Sequence, residues 1–490
     1  MTTTDAGPRS DIALHQRIGL VLGPVAALGL LAFFHPEGLS EAGVRTAAIA
    51  ALMAIWWGTE AVPISVTAFL PMVLFPFLGV LPMAETAPLY AHPIIYLFFG
   101  GFVMALAIER SGLHRRVALR IFHLAGMDGR SLIGGFMLAA ALISMWISNT
   151  STALMLLPIA MSVIVVIREG MSELTPVQRS DFETALLLGL AYGATLGGVA
   201  TLVGTPPNAF MSGFLESNYG ITIDFARWML VGVPVTVIML PLTWIVLTRL
   251  VFKVGFRSTD DARAHLARLG SDLGKATTAE KRVGILFLVL VAAWILRSPL
   301  EGRLGLEGVT DAGIAMAVAL AAFILPAGSR SGALVCWEDT RDLPWGVLIL
   351  FGGGLALAGA MTQSGLTQWI GQSLAPLGAI NIAVLVVAAT LLVIFLTELT
   401  SNLATTATFL PVMAAVAVET GQDPLLFVVP VTLAASCAFM LPVATPPNAI
   451  VFSSGSVSIP RMMRAGVVLN LIGVAVLTVV SLYLVPMVFG

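Results

Sequence analysis

Two strings of small polar residues interrupt the longest apolar stretches of this chain. Ser148, Asn149, Thr150, Ser151 and Thr152 stand in a row within ISNTSTALMLLPIA (147–160), and SNLATTATFLPVMA (401–414) repeats the pattern. Where one helix ends before such a string and another begins in it, the new N-terminus offers NH groups without helical partners and a partial positive charge. Ser148, Asn149 and Thr150 add hydroxyl and amide donors without a Lys or Arg, so the tip suits an anion. The preceding half-helix turns its last carbonyls to the same place. With the Asn side-chain oxygen they suit a small hard cation such as Na+. VGTPPNAF (203–210) and VATPPNAI (443–450) form a second pair. Proline has no NH and disfavours helical geometry in the residue before it, so each TPPN breaks a helix and frees carbonyls near Gly204 or Ala444. Helix–helix glue would explain one Ser/Thr string. It does not explain two, each followed by a TPPN.

Residues of these types need elements that hold them in the middle of a membrane. Of the 490 residues 58% are hydrophobic and 11% charged, against about 25% charged in soluble proteins, so the expected class is an all-α polytopic membrane protein. Stretches near the roughly 20 apolar residues of a crossing lie at 18–35, 43–59, 62–82, 90–109, 183–203, 228–252, 282–298, 309–327, 343–362, 424–443 and 463–488. That makes about eleven spans. Two further stretches, 131–167 and 378–418, are too long for one crossing and are interrupted by the polar strings, so each is expected to be a re-entrant hairpin. Turn backbone is tolerated at that depth only when protein or a water-filled cavity surrounds it.

Loop charge orients the chain. With the N-terminus cytoplasmic, the inner loops hold Arg115, Arg116, Arg120 and Arg130, seven cations from Lys253 to Arg282 including Arg257 and Arg263, then Arg461 and Arg464; the outer connections 83–90, 363–378 and 419–424 have no Lys or Arg. This is a positive-inside pattern. It places the protein in the cell's inner (plasma) membrane with its C-terminus outside, and lays the basic–apolar segment 113–126 along the inner surface. The polar N-terminal tail leads into a retained first helix, since no small-residue cleavage site follows. A balance of 25 Lys+Arg against 27 Asp+Glu supplies no arm for nucleic acid. Cys336 and Cys437 match no metal or redox spacing and are expected to pack.

The halves repeat. LFFGGFVMALAIERSGL (97–113) aligns on LFGGGLALAGAMTQSGL (350–366) at an offset of 253, which also relates Ser148-Asn149 to Ser401-Asn402, and the TPPN pair comes next in the same order. Since the two halves meet the membrane from opposite sides, the repeat is inverted, as alternating access requires. Glu398 beside the second tip is open to three readings: cation ligand, proton carrier, or a carboxylate held by backbone NH groups. Glu60 and Asp311, at span ends, are expected to be solvated or capping. His15, His35, His92, His114, His123 and His265 fall at span ends or in loops, and none offers a buried catalytic base. An intramembrane protease lacks its Ser/His pair or H-E-x-x-H here, so no enzyme is expected. No ring of carbonyls or charges suggests a channel filter.

These residues resemble the divalent anion/sodium symporter family, carriers of di- and tricarboxylates or sulfate. TEAVPISVTAFLP (59–71), SNTSTALMLLPIA, GTPPNAF, PWGVLILFGGGLALAGA (344–360), TELTSNLATTATFLPV and ATPPNAI carry the likeness. The resemblance implies a homodimer working as an elevator. Its parts are a scaffold (1–127, spans 1–4 and surface helix; 253–377, cytoplasmic loop and spans 7–9) and a transport domain (128–252, inner hairpin and spans 5–6; 378–490, outer hairpin and spans 10–11). It implies one Na+ site at Ser144, Ser148, Asn149 and Gly204, and another at Thr397, Thr400, Asn402 and Ala444. Substrate carboxylates would meet Ser148, Asn149 and Thr150 on one side and Ser401, Asn402 and Thr445 on the other. Na+ is the coupling ion implied, with no organic cofactor. Leu403 replaces the third-position threonine of the second string and is expected to present an apolar wall that favours C4-dicarboxylates (succinate, malate, fumarate) over citrate. A Na+-independent dicarboxylate exchanger, or a sulfate or citrate symporter, is the alternative within the same fold.

Overall fold

A computed structural model describes residues 13–124, 128–170, 174–256, 264, 268–304, 308–328, 332–374, 376 and 380–490. The N-terminal tail to residue 12, Arg257, Arg263 and His265 lie outside the described residues. Among these the chain is helix and connection, with one isolated bridge between Pro326 and Ala333. Among the described residues eight helices are long and apolar enough to cross a membrane: Leu14–Phe33, Met83–Ser111, Asn149–Gly170, Pro176–Val199, Phe225–Val251, Trp345–Gln363, Asn402–Glu419 and Ile459–Phe489. Ile64–Phe77, Gly129–Ser144, Asp311–Ile324, Ile382–Thr397 and Leu425–Ala435 are apolar but shorter. Three of these, Gly129–Ser144, Ile382–Thr397 and Leu425–Ala435, each end at a break in the helical chain. The stretch expected as a span at 424–443 is helical only to Ala435, and 183–203 only to Val199.

Both polar strings turn the chain. The arms Gly129–Ser144 and Asn149–Gly170 are separated by residues 145–148, and their outer ends meet at one end of the molecule. There Gly129 N donates to Phe256 O (3.0 Å), Arg168 pairs with Glu183 (2.7 Å), and Lys253 N donates to Asp181 (3.4 Å). The arms Ile382–Thr397 and Asn402–Glu419 likewise return together, packing Val386, Ala417 and Phe427 beside Leu426 and Leu482. The helix that starts at Ile459 connects these two ends. Arg461 pairs with Asp181 at one, and Ser481 donates to Leu426 O at the other. The hairpins therefore open at opposite ends.

Beside each hairpin runs a broken helix. Pro176–Val199 unwinds over 200–205 and resumes as Pro206–Tyr219; Leu425–Ala435 unwinds over 436–441 and resumes as Pro446–Ser453. They pass antiparallel, Thr184 donating to Ser456 O (3.4 Å) and Tyr192 to Phe439 O (2.6 Å). Neither continuation reads as a span in the sequence, because Pro206–Tyr219 is short and carries several polar residues and Pro446–Ser453 is only 8 residues long.

Glycines let the outer helices approach. A Cβ on Gly100 would lie 2.6 Å from the Ala315 backbone, and one on Gly353, its repeat partner, 2.3 Å from Ala68 O. One residue on, Gly101 faces Val203 and Gly354 faces Phe210 and Ala407. In both halves, then, one glycine packs against a neighbouring outer helix and the next faces the broken helices and hairpins. Asp311 departs from its expected solvated or capping role. Thr310 caps its helix, while Asp311 is mostly buried, pairs with Arg297 (2.7 Å) and accepts from Phe225 N (2.8 Å). Glu60 is a helix C-cap in left-handed geometry. The surface segment is helical from Leu113, and Arg116 ties it to Glu280 through two bonds (2.8 and 3.1 Å). Cys336 and Cys437 are free thiols, Cys437 buried.

Candidate functional site

At the first tip Ser148 caps the new helix, its hydroxyl accepting from Ser151 N (3.1 Å) and its carbonyl from Thr152 N (3.0 Å). Asn149 points back across the turn, where its Oδ1 accepts from Ser144 Oγ (2.6 Å). The first joint reaches the same oxygen: a Cβ on Gly198 would lie 2.5 Å from Asn149 Oδ1 and 3.0 Å from Gly204 O. Ser144, Asn149 and Gly204 therefore converge on one cluster of oxygens. A hard cation takes such neutral oxygen ligands where a helix is unwound. Thr150 stands half-buried in the first turn.

The second tip repeats this. Asn402 Oδ1 accepts from Thr397 Oγ1 (3.0 Å), and the same hydroxyl lies 2.9 Å from Ala435 O at the start of the second joint. Ser401 is the N-cap, and its side chain makes no capping bond, leaving its hydroxyl for another partner. Thr400 is engaged elsewhere through its hydroxyl, with Leu396 O (3.1 Å) and Thr405 Oγ1 (2.5 Å). Ala444 and Thr445 sit at the head of Pro446–Ser453, where the Thr445 hydroxyl accepts from Asn448 N (3.4 Å); no hydrogen bond joins either to Asn402. Of the residues implied for the second site, the structure brings Thr397 and Asn402 together directly.

Leu403 departs from expectation. It is 4% exposed and packs in the apolar core, while Ser401 and Asn402 beside it are only half-buried. A helix turns about 100° per residue, which carries the isobutyl group away from the side Asn402 presents. Leu403→Thr is therefore expected to leave the ratio of succinate to citrate uptake unchanged, as a competition assay on both proteins would measure.

Three residues that hold the joints do not stand out in the sequence. Asn208 Nδ2 donates to Gly198 O (3.3 Å) and Thr201 O (2.8 Å), and Asn448 Nδ2 to Ala438 O (3.0 Å) and Leu441 O (3.1 Å). The spacing is the same in both halves: the asparagine of each TPPN clasps carbonyls ten and seven residues before it. Two asparagines at matching places in the repeat are the signal that could have found them. Beyond these clasps the joints differ. In the first, the Thr201 hydroxyl donates to Met145 O (2.6 Å) and accepts from Gly204 N (3.0 Å). In the second, Glu398, at the position matching Met145, accepts from Phe439 N (2.7 Å), Met440 N (2.8 Å), Leu441 N (3.0 Å) and Asn470 Nδ2 (2.8 Å). Asn470 is the third such residue. Of the three readings open for Glu398, the geometry is that of a carboxylate held by backbone NH groups.

Comparison with known proteins bears on this arrangement. A family model described as the sodium:sulfate symporter transmembrane region matches residues 15–489. The sodium-dependent dicarboxylate transporter SdcS of Staphylococcus saprophyticus is 41% identical over 479 residues, spanning 97% of this chain and 92% of the relative. Its namesake in Staphylococcus aureus (strain USA300) is 40% identical over 481 residues, again 97% and 92%. Among solved structures, the YdaH transporter of Alcanivorax borkumensis superposes with a TM-score of 0.58 at 17% identity, covering 95% of this chain and 97% of that one. MtrF of Neisseria gonorrhoeae gives 0.58 at 13% identity, with 95% and 94% covered. These two likenesses are of fold.

Proposed function

This chain belongs to the sodium:sulfate symporter family, and from that membership we infer a secondary active transporter that imports a dicarboxylate together with Na+. The observation that carries this reading is the duplicated Ser144–Asn149 and Thr397–Asn402 pairing, each beside an unwound helix. Two tips with matching neutral donors suit a ligand with two carboxylates, and the relatives named above are sodium-dependent dicarboxylate transporters. Ser148, Asn149 and Thr150 would hold one carboxylate, and Ser401, Asn402 and Thr445 the other. Ser144, Ser148, Asn149 and Gly204 would form one Na+ cage, and Thr397, Thr400, Asn402 and Ala444 the second. Within this reading the substrate is a C4-dicarboxylate. The moving unit is 128–252 with 378–490, sliding as an elevator on a dimeric scaffold of 1–127 and 253–377. On the scaffold side, Gly101 and Gly354 present no side chain to this unit where it packs through Val203, Phe210 and Ala407, which supports such sliding. The membrane is the cell's inner membrane, with the N-terminus inside and the C-terminus outside.

Electrostatics sets the role of Na+. The tip side chains Ser148, Asn149, Thr150, Ser401 and Asn402 are uncharged, so a dianion cannot be held there in low dielectric without accompanying cations. Succinate should therefore stabilise the purified protein in Na+ and fail to do so when K+ or choline replaces it, in a thermal-shift screen that also includes malate, citrate, 2-oxoglutarate and sulfate. Equal stabilisation in Na+ and K+ would make the protein a Na+-independent exchanger.

A further inference from the structure

A cavity of about 550 Å³ lies at the end of the molecule where Arg461 meets Asp181, lined by Arg130, Gln178, Thr248, Arg249, Lys253 and Gly255. It is separate from the tips, since Arg130 and Ser144 are joined by roughly 21 Å of helix. Its size is that of a small-ligand pocket.

Three of its residues are cations, and among the described residues none is ion-paired. Arg130 Nε donates to Val254 O (2.5 Å), Arg249 lies 5.4 Å over the Trp244 ring, and the Lys253 side chain is exposed. The adjacent carboxylates are engaged elsewhere. Asp128 caps its helix through Arg130 N and Ser131 N, and Asp181 pairs with Arg461 and accepts from the Lys253 backbone. The first turns of Gly129–Ser144 and Pro176–Val199, which carry Arg130 and Gln178, add partial positive charge. The C-terminal carbonyls near Thr248 oppose this with less than one unit charge, against three full charges.

Beside the cations the surface is apolar. Leu250, next to Arg249, is 62% exposed, and Val177, next to Gln178, is 70% exposed. Cations bordered by hydrocarbon at the Lys/Arg-rich end of a membrane protein match a ligand with an anionic phosphate and acyl chains. We propose that this cavity binds a phosphate-bearing anion, presented as the headgroup of an anionic phospholipid. Four of its six lining residues, Arg130, Gln178, Thr248 and Arg249, belong to the stretch 128–252 that carries the first tip, and Lys253 and Gly255 follow it directly.

The test is native mass spectrometry of the purified full chain with dioleoylphosphatidylglycerol or dioleoylphosphatidylcholine, beside thermal shifts in millimolar inorganic phosphate. Wild type should retain phosphatidylglycerol over phosphatidylcholine. R249Q/K253Q, which alters two exposed side chains, should weaken phosphatidylglycerol by roughly tenfold or more. Gln178→Glu keeps the acceptor that caps Thr175 (3.0 Å) while placing a negative charge at the cavity, and should weaken it too. Stabilisation of wild type by inorganic phosphate, lost in R249Q/K253Q, would support the site with a soluble anion as its source. Equal retention of the two lipids with no effect of phosphate, or a phosphatidylglycerol preference that survives both variants, would overturn the proposal.

Discussion

Asn149→Ala and Asn402→Ala should each bring Na+-driven succinate uptake in proteoliposomes down to background while leaving a monodisperse protein. Each asparagine is asked to act twice: its Oδ1 sits in a cluster of neutral oxygens with Ser144 or Thr397, and its amide lies in the first turn of a helix whose N-terminus faces the anion. A hydrogen bond to a charged group contributes about 1.5–3 kcal/mol, roughly ten- to hundredfold in affinity, and the alanine variant loses a cation ligand and an anion donor together. The fold should tolerate the change because the Thr397 hydroxyl keeps Ala435 O within reach, and a serine in a helix, as Ser144 is, can turn its hydroxyl to a carbonyl of the preceding turn. Asn402→Asp separates the two roles, retaining a cation ligand while repelling the dianion. Wild-type uptake in either alanine variant would remove that asparagine from the site.

Glu398→Ala should destabilise the protein by several kcal/mol, at about 1–3 kcal/mol for each buried donor left unpaired, and abolish transport with it. The substitution leaves three backbone NH groups of the second joint and the Asn470 amide without their acceptor, in a region where Glu398 is 3% exposed and Asn470 fully buried. Glu398→Gln keeps an oxygen acceptor and most of the shape, but turns an amide donor towards NH groups that are themselves donors. It should fall between wild type and alanine in both melting temperature and uptake. The two readouts moving together identifies a positioning residue. A glutamine variant as stable as wild type yet unable to transport would instead make Glu398 a carrier of protons or cations.

The tips are legible in the sequence because their chemistry is local. Ser144 and Asn149, or Thr397 and Asn402, lie five residues apart, and a helix end followed by a helix start brings them together without help from the rest of the fold. The TPPN breaks are legible for a similar reason, since proline acts on its own neighbours. The helices resuming after the breaks are not: Pro206–Tyr219 carries Asn208, Ser212, Glu216, Ser217 and Asn218, and reads as a loop until its burial among other helices is known. The clasp on the second joint is hidden by distance, Asn470 meeting Glu398 across 72 residues. Leu403 misleads in the opposite direction, because a neighbour along the chain need not be a neighbour across the site. Asp311 looks like a capping residue until its partner Arg297, on the helix before it, is brought alongside.

Glu398 also bears on how membrane voltage enters the cycle. When ionised, it is a negative charge within the unit that the elevator reading sets in motion, whereas Arg168–Glu183 and Arg461–Asp181 are charge-balanced pairs. One charge crossing the full potential exchanges about 2.3 kcal/mol per 100 mV. Were a dianion to travel with three Na+, its surplus positive charge would cancel that of Glu398, and the loaded unit would cross almost without feeling the field. The empty unit would return with that carboxylate's charge uncancelled, pushed outward by an interior-negative potential. Voltage would then accelerate the resetting of the carrier, and the delivery of substrate would be left to the Na+ gradient.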